Sequence, residues 1–340
     1  MISASSCNKS QQRLLDRQVQ RQGCPAFRRA QQAMGAVQQL PLDHGQGSGE
    51  RDHATRQAEG MGSLSRRILR HCGQSPLVCG AMVNQPLASG PWAAPGRLGP
   101  GRRVYAVGDV HGCARALSAL HRVVENDLAE RPVNDGGAPG DEPCAPLLLH
   151  LGDLIDRGPD SAGIVATLAA GPPIPGVPTV NLMGNHEWMM LAALSRGDAE
   201  AQRVWLDNGG YESLRSWGVP AHARPEDWPG LLPPDHLAFL RDLAPWHQLD
   251  GYLFAHAGVR PGVDLERQRW ADLLWIREPF LSWNGPLLPS DPDVAVVHGH
   301  TVSAAPVLRP NRLGVDTGSG RGGVLTCAVL EGNSVRFLSP

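Results

Sequence analysis

Side chains that bind metal ions recur in this sequence at the ends of short apolar runs, each close to a glycine. Oxygen and nitrogen donors without a thiolate suit Mn²⁺, Fe or Zn²⁺ better than a soft metal. Six such donors, with one carboxylate shared, could hold two cations about 3.5–4 Å apart, which is the arrangement used for in-line displacement at phosphorus. The candidate donors are Asp109, His111, Asp153, Asn185, His186, His256 and His300.

The most informative stretch is residues 147–160, LLLHLGDLIDRGPD. Its apolar start is too short for a typical helix and predicts a buried strand that Gly152 ends. Burying a carboxylate costs several kcal/mol unless a cation or hydrogen-bond donors meet it. Asp153, Asp156 and Arg157 at the end of this strand therefore indicate a site. A capped turn, with either aspartate bonded to the next helix, is an equal alternative for this stretch taken alone.

The other donors require further strands, and the apolar pattern supplies them. Strands are predicted at 104–107, 147–152, 179–183, 251–255 and 294–297. Helices are predicted at 114–126 and 161–169, and residues 188–245 are expected to be mainly helical. Four tryptophans in that last segment could form a cap over the site, although a cluster of core aromatics is the more common arrangement. The tail, 312–338, alternates like hairpin strands, and its GSGRGG stretch (318–323) is interpreted as part of a hairpin.

Composition limits the class of protein. The chain has 340 residues and a formal net charge of −2, which argues against a nucleic-acid binder that relies on bulk electrostatics. We find no apolar run of membrane-spanning length and no signal-peptide pattern, so a cytoplasmic protein without membrane association is expected. The seven cysteines are scattered without a C-x-x-C motif, which predicts reduced thiols.

Residues 1–100 differ from the rest of the chain. Up to about Glu59 the sequence is rich in Gln, Arg, Ser and Gly, which predicts a disordered extension, and a Pro/Gly/Ala linker follows. A translation start placed too far upstream, with Met61 or Met82 as the true start, is one explanation, and a disordered regulatory arm is the alternative. Residues 101–340 are predicted to form one catalytic domain.

Five motifs then appear in order: GDVHG (108–112), GDLIDRG (152–158), GNHE (184–187), HAG (256–258) and GHT (299–301). Together they resemble the calcineurin-like metallophosphoesterases. More narrowly, they resemble the bacterial phosphoprotein phosphatases, the group of the bacteriophage lambda phosphatase. The resemblance covers about residues 102–335. It implies an α/β fold in which two β-sheets form a sandwich flanked by helices.

The resemblance also implies roles for individual residues. Asp109 and His111 would bind the first cation, Asp153 would bridge, and Asn185, His256 and His300 would bind the second. His186 would be the general acid, oriented by Asp156, and Arg157 with Arg277 would bind the phosphate oxygens. The cofactor implied is a pair of divalent cations, with Mn²⁺ favoured over Fe or Zn²⁺.

Two activities fit these motifs. The first is a serine/threonine protein phosphatase, and the second is a symmetrical bis(5'-nucleosyl)-tetraphosphatase or RNA-decapping hydrolase. Symmetrical diadenosine tetraphosphatases share GDVHGC (108–113), but they typically lack the acid–arginine pair of the second motif and carry Asp at the place of Glu187. The pair Asp156–Arg157 and Glu187 therefore favour the phosphatase. The partner is expected to be a phosphorylated protein or nucleotide.

A non-catalytic binding module on the same scaffold is the third possibility. It is disfavoured because every donor position is filled.

Stable nucleic-acid binding is not expected, because no basic stripe with interleaved aromatics occurs in residues 102–340. Three polar residues near the motifs are assigned supporting places: Glu187 orients or caps, His298 lies outside the ligand set, and Asp316 either supports a ligand histidine or is a turn residue.

Overall fold

A computed structural model of the protein describes residues 90–133, 146–195 and 198–340. The predictions for residues 1–89, including the alternative starts at Met61 and Met82, lie outside the described residues. The helices are α1 (Ala114–Glu130), α2 (Ser161–Ala169), α3 (Asn185–Ala193), α4 (Ala199–Trp205), α5 (Tyr211–Ser216), α6 (Trp228–Leu231), α7 (Pro234–Arg241) and α8 (Trp270–Trp275). No helix in these ranges combines the length and the hydrophobicity that a bilayer crossing needs.

A six-stranded sheet carries the first three motifs. Its strands are β1 (Trp92–Ala93), β2 (Arg103–Val107), β3 (Leu147–His150), β4 (Thr179–Asn181), β10 (Cys327–Glu331) and β11 (Ser334–Leu338), in the order β1-β11-β10-β2-β3-β4. Strands β2, β3 and β4 are parallel, with Val107 opposite His150 and His150 opposite Asn181. Their carboxyl ends therefore lie along one edge of the sheet.

A five-stranded sheet carries the last two motifs. Its strands are β5 (Trp246–Leu249), β6 (Tyr252–Ala255), β7 (Ala295–His298), β8 (Val307–Arg309) and β9 (Arg312–Gly314), in the order β5-β6-β7-β9-β8. Strands β6, β7 and β9 are parallel, while β5 and β8 run antiparallel at the two edges. His256 and His300 follow the ends of β6 and β7, so both sheets deliver donors in the same way.

The two sheets pack against each other through one apolar core. Val104 and Ala106 from β2 and Leu149 from β3 lie in the same cluster as Phe254 and Val297 from the second sheet, and all five are buried. The other face of the first sheet packs on helices through a second core, which contains Tyr105, Leu148 and residues of α1, α2, α3 and α7. The predicted two-sheet sandwich flanked by helices is confirmed.

Two sequence interpretations of strands need revision. The tail 312–338 does not form a single set of hairpin strands: β9 joins the second sheet beside β7, and only β10 and β11 pair as a hairpin in the first. Strand β9 (RLG) is too short to show a period, and both strands are buried, so periodicity cannot tell which sheet each one joins. In addition, β1 pairs with β11 and Leu98 is buried in the core between the sheets, although both lie in the Pro/Gly/Ala stretch.

The segment 188–245 is mainly helical, as predicted. Trp205 and Trp228 are buried in the core against the first sheet, and Trp188 and Trp217 pack partly buried against that core. The rings of Trp205 and Trp228 meet edge to face, with 5.9 Å between centroids. The tryptophans are thus core aromatics, the more common of the two arrangements expected from the sequence.

Candidate metal centre

The candidate donor atoms form two groups that share Asp153. The first group contains His111, Asp153 and His186, and the second contains Asp153, His256 and His300. Within each group the donor atoms all lie within 4.8 Å of one another, and every residue is buried. Side chains from both sheets therefore meet at a single carboxylate.

The two oxygens of Asp153 face opposite groups. Oδ2 lies 3.4 Å from Nε2 of His111 and 3.9 Å from Nε2 of His186. Oδ1 lies 3.4 Å from Nε2 of His256. A carboxylate with histidine nitrogens on both sides is placed to bridge two cations.

Backbone carbonyls fix the orientation of two of the rings. Nδ1 of His111 donates to the carbonyl oxygen of Ile155 at 3.1 Å, and Nδ1 of His256 donates to that of Leu151 at 2.9 Å. A neutral imidazole that donates from Nδ1 carries its lone pair on Nε2. Both rings therefore present a lone pair to the site, as metal-binding histidines do.

Asn185, His300 and Asp109 complete the set. The side-chain oxygen of Asn185 lies 2.9 Å from Nε2 of His256 and 2.9 Å from Nδ1 of His300. Both carboxylate oxygens of Asp109 accept the backbone N–H of His300 at 3.1 Å, and Oδ2 lies 3.9 Å from Nε2 of His111. All of the sequence-predicted donors are thus brought together.

The donor set fits two dications. With the amide so oriented, the Asn185 oxygen and the Nε2 lone pair of His256 face each other at 2.9 Å, a contact between acceptors that a cation would convert into attraction. Nε2 of His300 is buried without a hydrogen-bond partner. Buried lone pairs of this kind are costly unless something positive meets them. The site therefore matches the chemistry of a dinuclear oxygen- and nitrogen-ligand centre.

The backbone is strained at this centre. Five of the six non-glycine residues with positive φ in the described ranges belong to it, at φ values between 48° and 71°. They are His111, Asp153, Asp156, Arg157 and His300. Such conformations cost about 1–3 kcal/mol each and persist where the surroundings enforce them, which is common at functional sites.

Burial and like charges shift the protonation equilibria. Burial raises the pKa of Asp153 to about 7, and burial together with the charges of Asp316 and Asp153 raises the pKa of Asp109 well above its usual range. Burial and the charge of Arg157 hold the pKa of His111 and of His186 well below the usual range. The histidines are therefore neutral, which is the form that binds metal ions.

His186 and Asp156 form a buried pair beside Asp153. Nδ1 of His186 lies 2.7 Å from Oδ2 of Asp156, and neither side chain is more than 1% exposed. The same carboxylate accepts from the indole N–H of Trp205 at 3.0 Å and from the hydroxyl of Ser213 at 2.6 Å. These bonds hold the carboxylate in place, so the tautomer and the orientation of His186 are fixed.

Arg157 lies over the first group of donors. Its guanidinium contacts Nε2 of His111 at 2.6 Å and Nε2 of His186 at 2.9 Å. Its backbone N–H donates to the carbonyl oxygen of Gly209, where φ is 107°. Arg277 is exposed just after α8, close enough for its charge to contribute to the lowered pKa of His300.

A family model described as calcineurin-like phosphoesterase matches residues 102–324. The chain belongs to the calcineurin-like phosphoesterase family. Serine/threonine-protein phosphatase 1 of Salmonella typhimurium is 30% identical over 244 residues, which are 68% of this chain and 93% of the relative. The symmetrical bis(5'-nucleosyl)-tetraphosphatase of Aromatoleum aromaticum is 27% identical over 169 residues, 49% of this chain and 48% of the relative.

A solved structure of a proposed diadenosine tetraphosphatase shares 23% sequence identity with this calcineurin-like phosphoesterase. The alignment covers 70% of this chain and 93% of that chain, with a TM-score of 0.46.

Two of the supporting residues, Glu187 and Asp316, have defined contacts in this phosphoesterase. The Glu187 carboxylate accepts backbone N–H groups from Asp153, Leu154 and Ile155 at 2.7–3.1 Å, and also that of Gly184 at 2.9 Å. It therefore orients the loop around Asp153, as expected. Asp316 accepts the N–H of Gly318 at 2.9 Å, so it is a turn residue whose charge also acts on Asp109.

Sequence reasoning missed the residues that hold Asp156. Trp205 and Ser213 lie in the segment 188–245, where no motif marks a residue that bonds the site. It also misread the GSGRGG stretch as hairpin. Residues Ser319–Arg321 form a 3-10 turn, and a Cβ atom at Gly320 would come within 2.7 Å of Cγ of His111. The turn therefore packs directly against a candidate ligand.

Proposed function

We propose that this phosphoesterase is a serine/threonine protein phosphatase that hydrolyses phosphomonoesters with two divalent cations, most suitably Mn²⁺. The observation that carries the proposal is the His186–Asp156 pair, at 2.7 Å, beside a carboxylate with histidines on both of its oxygens. A proton donor adjoining a bridging carboxylate is the arrangement needed to cleave an ester of an alcohol, which is a poor leaving group.

In this proposal, Asp109, His111 and Asp153 hold the first cation, and Asp153, Asn185, His256 and His300 hold the second. When bound, such a pair lowers the pKa of water, supplying a nucleophile at neutral pH, and neutralises charge on the phosphoryl oxygens. His186 could act as a ligand on distance alone, since it shares the first group of donors. The hydrogen bond from Nδ1 of His186 to Asp156 instead supports the role of His186 as the general acid.

The chain's own residues account for the proton transfer. Asp156 accepts the Nδ1–H of His186, so the proton that is transferred must come from Nε2. Burial and the positive charge of Arg157 disfavour that proton in the free protein. A phosphate dianion that pairs with Arg157 would offset its charge and raise the pKa of His186. Substrate binding would therefore favour protonation of His186 at Nε2.

The arginines bind the transferring group. The guanidinium of Arg157 contacts Nε2 of His111 and Nε2 of His186, so an oxygen bound to it would lie next to both the first cation site and the proposed acid. The charge of Arg277 contributes to the lowered pKa of His300, which supports the same role for Arg277. Together, the two arginines would hold the phosphoryl oxygens through charge-assisted bonds.

Symmetrical tetraphosphatase activity is the second candidate, supported by the relatives with that name and by the GDVHGC stretch. The contacts of Asp156 and Glu187 favour the phosphatase, because these are the positions at which tetraphosphatases typically differ. The chain also covers 93% of the protein phosphatase relative, against 48% of the tetraphosphatase relative.

The test is a comparison of kcat/KM for phosphoserine and phosphothreonine peptides with that for diadenosine tetraphosphate, in Mn²⁺, Zn²⁺ and Fe²⁺. The proposal predicts a higher kcat/KM on the peptides with at least one of these metals. A higher value on the dinucleotide with all three metals would overturn the proposal in favour of the second candidate.

A further inference from the structure

Two arginines account for one phosphoryl group, yet a third arginine lies at the rim of the same site. Arg321 ends the 3-10 turn Ser319–Arg321 and is exposed. It comes from a different part of the chain than Arg157 and Arg277, in the connection between the two sheets.

The turn that carries Arg321 is held against the first group of donors. The hydroxyl of Ser319 lies 3.4 Å from the carbonyl oxygen of Val110, and the thiol of Cys113 lies 3.6 Å from the carbonyl oxygen of Ser319. With the backbone of Gly320 packed on the ring of His111, these contacts fix the turn directly beside the GDVHG motif.

The turn is also fixed from its other end. Gly318 and Gly322 both adopt left-handed conformations, with φ of 83° and 81°, which reverse the chain at each end of the turn. The N–H of Arg321 donates to the carbonyl oxygen of Gly318 at 2.8 Å. A Cβ at Gly318 would lie 3.2 Å from the exposed side chain of Val302, which follows the GHT motif. The turn therefore touches the segments of both ligand groups.

Within this turn, Ser319 is buried and Gly320 has no side chain. Arg321 is therefore the residue that brings a charge to the rim of the site. Arg321 directly follows Gly320, the residue that packs on the ring of His111, so its side chain starts beside the first group of donors. An exposed guanidinium next to a site for a phosphoryl group is suited to a second anionic group on the same substrate, through a forked contact.

We propose that Arg321 determines specificity for phosphopeptides that carry an acidic side chain, a carboxylate or a second phosphate, next to the phosphorylated residue. The inference rests on the proposed phosphatase function. It concerns selection among phosphopeptides, and it assigns Arg321 no part in the cleavage itself.

The experiment measures kcat/KM for phosphoserine peptides with neutral, glutamate or phosphoserine neighbours, in the wild type, Arg321→Gln, Arg321→Lys and Arg309→Gln. Taking the ratio of acidic to neutral peptide within each variant cancels any general change in activity. Arg309 is the matched control, an exposed arginine at the end of β8 that lies opposite Arg312, away from the ligand-bearing strand ends.

The wild type and Arg309→Gln are expected to prefer an acidic neighbour about five-fold, the upper range for an exposed ion pair. Arg321→Gln should bring the ratio close to one, and Arg321→Lys should retain part of it. In the wild type the preference should shrink in 0.5 M NaCl, because salt screens exposed pairs. The glutamate and phosphoserine peptides tell which acidic group is recognised.

A ratio near one in the wild type, or a preference that survives Arg321→Gln, overturns the inference while leaving the phosphatase proposal intact. If no phosphopeptide is hydrolysed and diadenosine tetraphosphate is, the phosphatase proposal fails instead, and the inference fails with it.

Discussion

Nδ1 of His186 lies 2.7 Å from Oδ2 of Asp156, and the same carboxylate accepts bonds from Trp205 and Ser213. His186, the proposed acid, is therefore held by a residue three positions after Asp153, in the same loop, and that residue is held by the helical segment 188–245. Alignment of the acid depends on contacts between these two parts of the chain.

Replacing His186 by asparagine would remove the proposed proton donor. We expect His186→Asn to lower kcat on a phosphoserine peptide by about 10²–10⁴, the usual weight of general acid–base catalysis. On p-nitrophenyl phosphate, whose leaving group needs no proton, the loss should be much smaller. Metal content should remain unchanged, as measured by elemental analysis. Equal losses on both substrates would show that His186 has another role, such as a metal ligand.

Replacing Glu187 by glutamine should destabilise the fold. The carboxylate accepts four backbone N–H groups, from Asp153, Leu154, Ile155 and Gly184, and a glutamine amide would turn an N–H toward some of them. We expect a loss of about 2–3 kcal/mol in the free energy of unfolding, measured by urea denaturation. Glu125→Gln, an exposed glutamate on α1, is the control. Equal stability of the two variants would argue against this role for Glu187.

A buried histidine pair should make stability depend on pH. Nε2 of His121 lies 3.1 Å from Nε2 of His150, whose Nδ1 bonds to Asn181. Burial lowers the pKa of His121 to about 4 and that of His150 to about 3. Because the unfolded chain takes up these protons near pH 6.5, whereas the folded chain does so only near pH 3–4, stability should be complete above pH 6.5 and fall below it.

The slope should be about 1 kcal/mol per pH unit for each of the two histidines between pH 6 and pH 4.5. His121→Gln keeps a polar partner but does not titrate, so its urea-unfolding midpoint should fall less steeply with acid than that of the wild type. His222→Gln, at an exposed histidine, should follow the wild type. An unchanged slope in His121→Gln would contradict the assignment.

Cation binding should stabilise the fold, because the site gathers buried carboxylates that repel one another. Burial and neighbouring negative charges raise the pKa of Asp109, and burial raises that of Asp316. A cation at about 100 times its Kd adds about 2.7 kcal/mol. We therefore expect a higher Tm in Mn²⁺ than in EDTA, measured by scanning calorimetry. An identical Tm in the two buffers would mean that the described residues do not hold a cation.

Much of the site was predictable because its residues follow apolar strands. Gly152, Gly184 and Gly299 mark strand ends, and parallel strands place their carboxyl ends together. The donor types then limit the chemistry. The convergence of Asp109, Asp153, Asn185, His256 and His300 follows from these facts and the order of the motifs.

The parts that could not be predicted depend on contacts distant in sequence. Nothing local marks Trp205 and Ser213 as partners of Asp156, since Trp205 packs in the core like its neighbours. The GSGRGG stretch has the composition of a turn, and only tertiary packing places it on His111. Strands β9 and β10 are both buried, and the sheet that each joins depends on its partners.

The proposed metal centre requires Asp153 to bridge two cations. Its most direct test is elemental analysis of Mn²⁺-loaded protein after removal of free metal, for the wild type, Asp153→Asn and Asp160→Asn. Asp160 lies in the same loop, where it accepts the N–H of Gly163 at the start of α2, and asparagine keeps that cap. We predict two Mn²⁺ per chain in the wild type and in Asp160→Asn, and fewer than one in Asp153→Asn. Two ions retained by Asp153→Asn, or one or none in an active wild type, would contradict a bridging carboxylate.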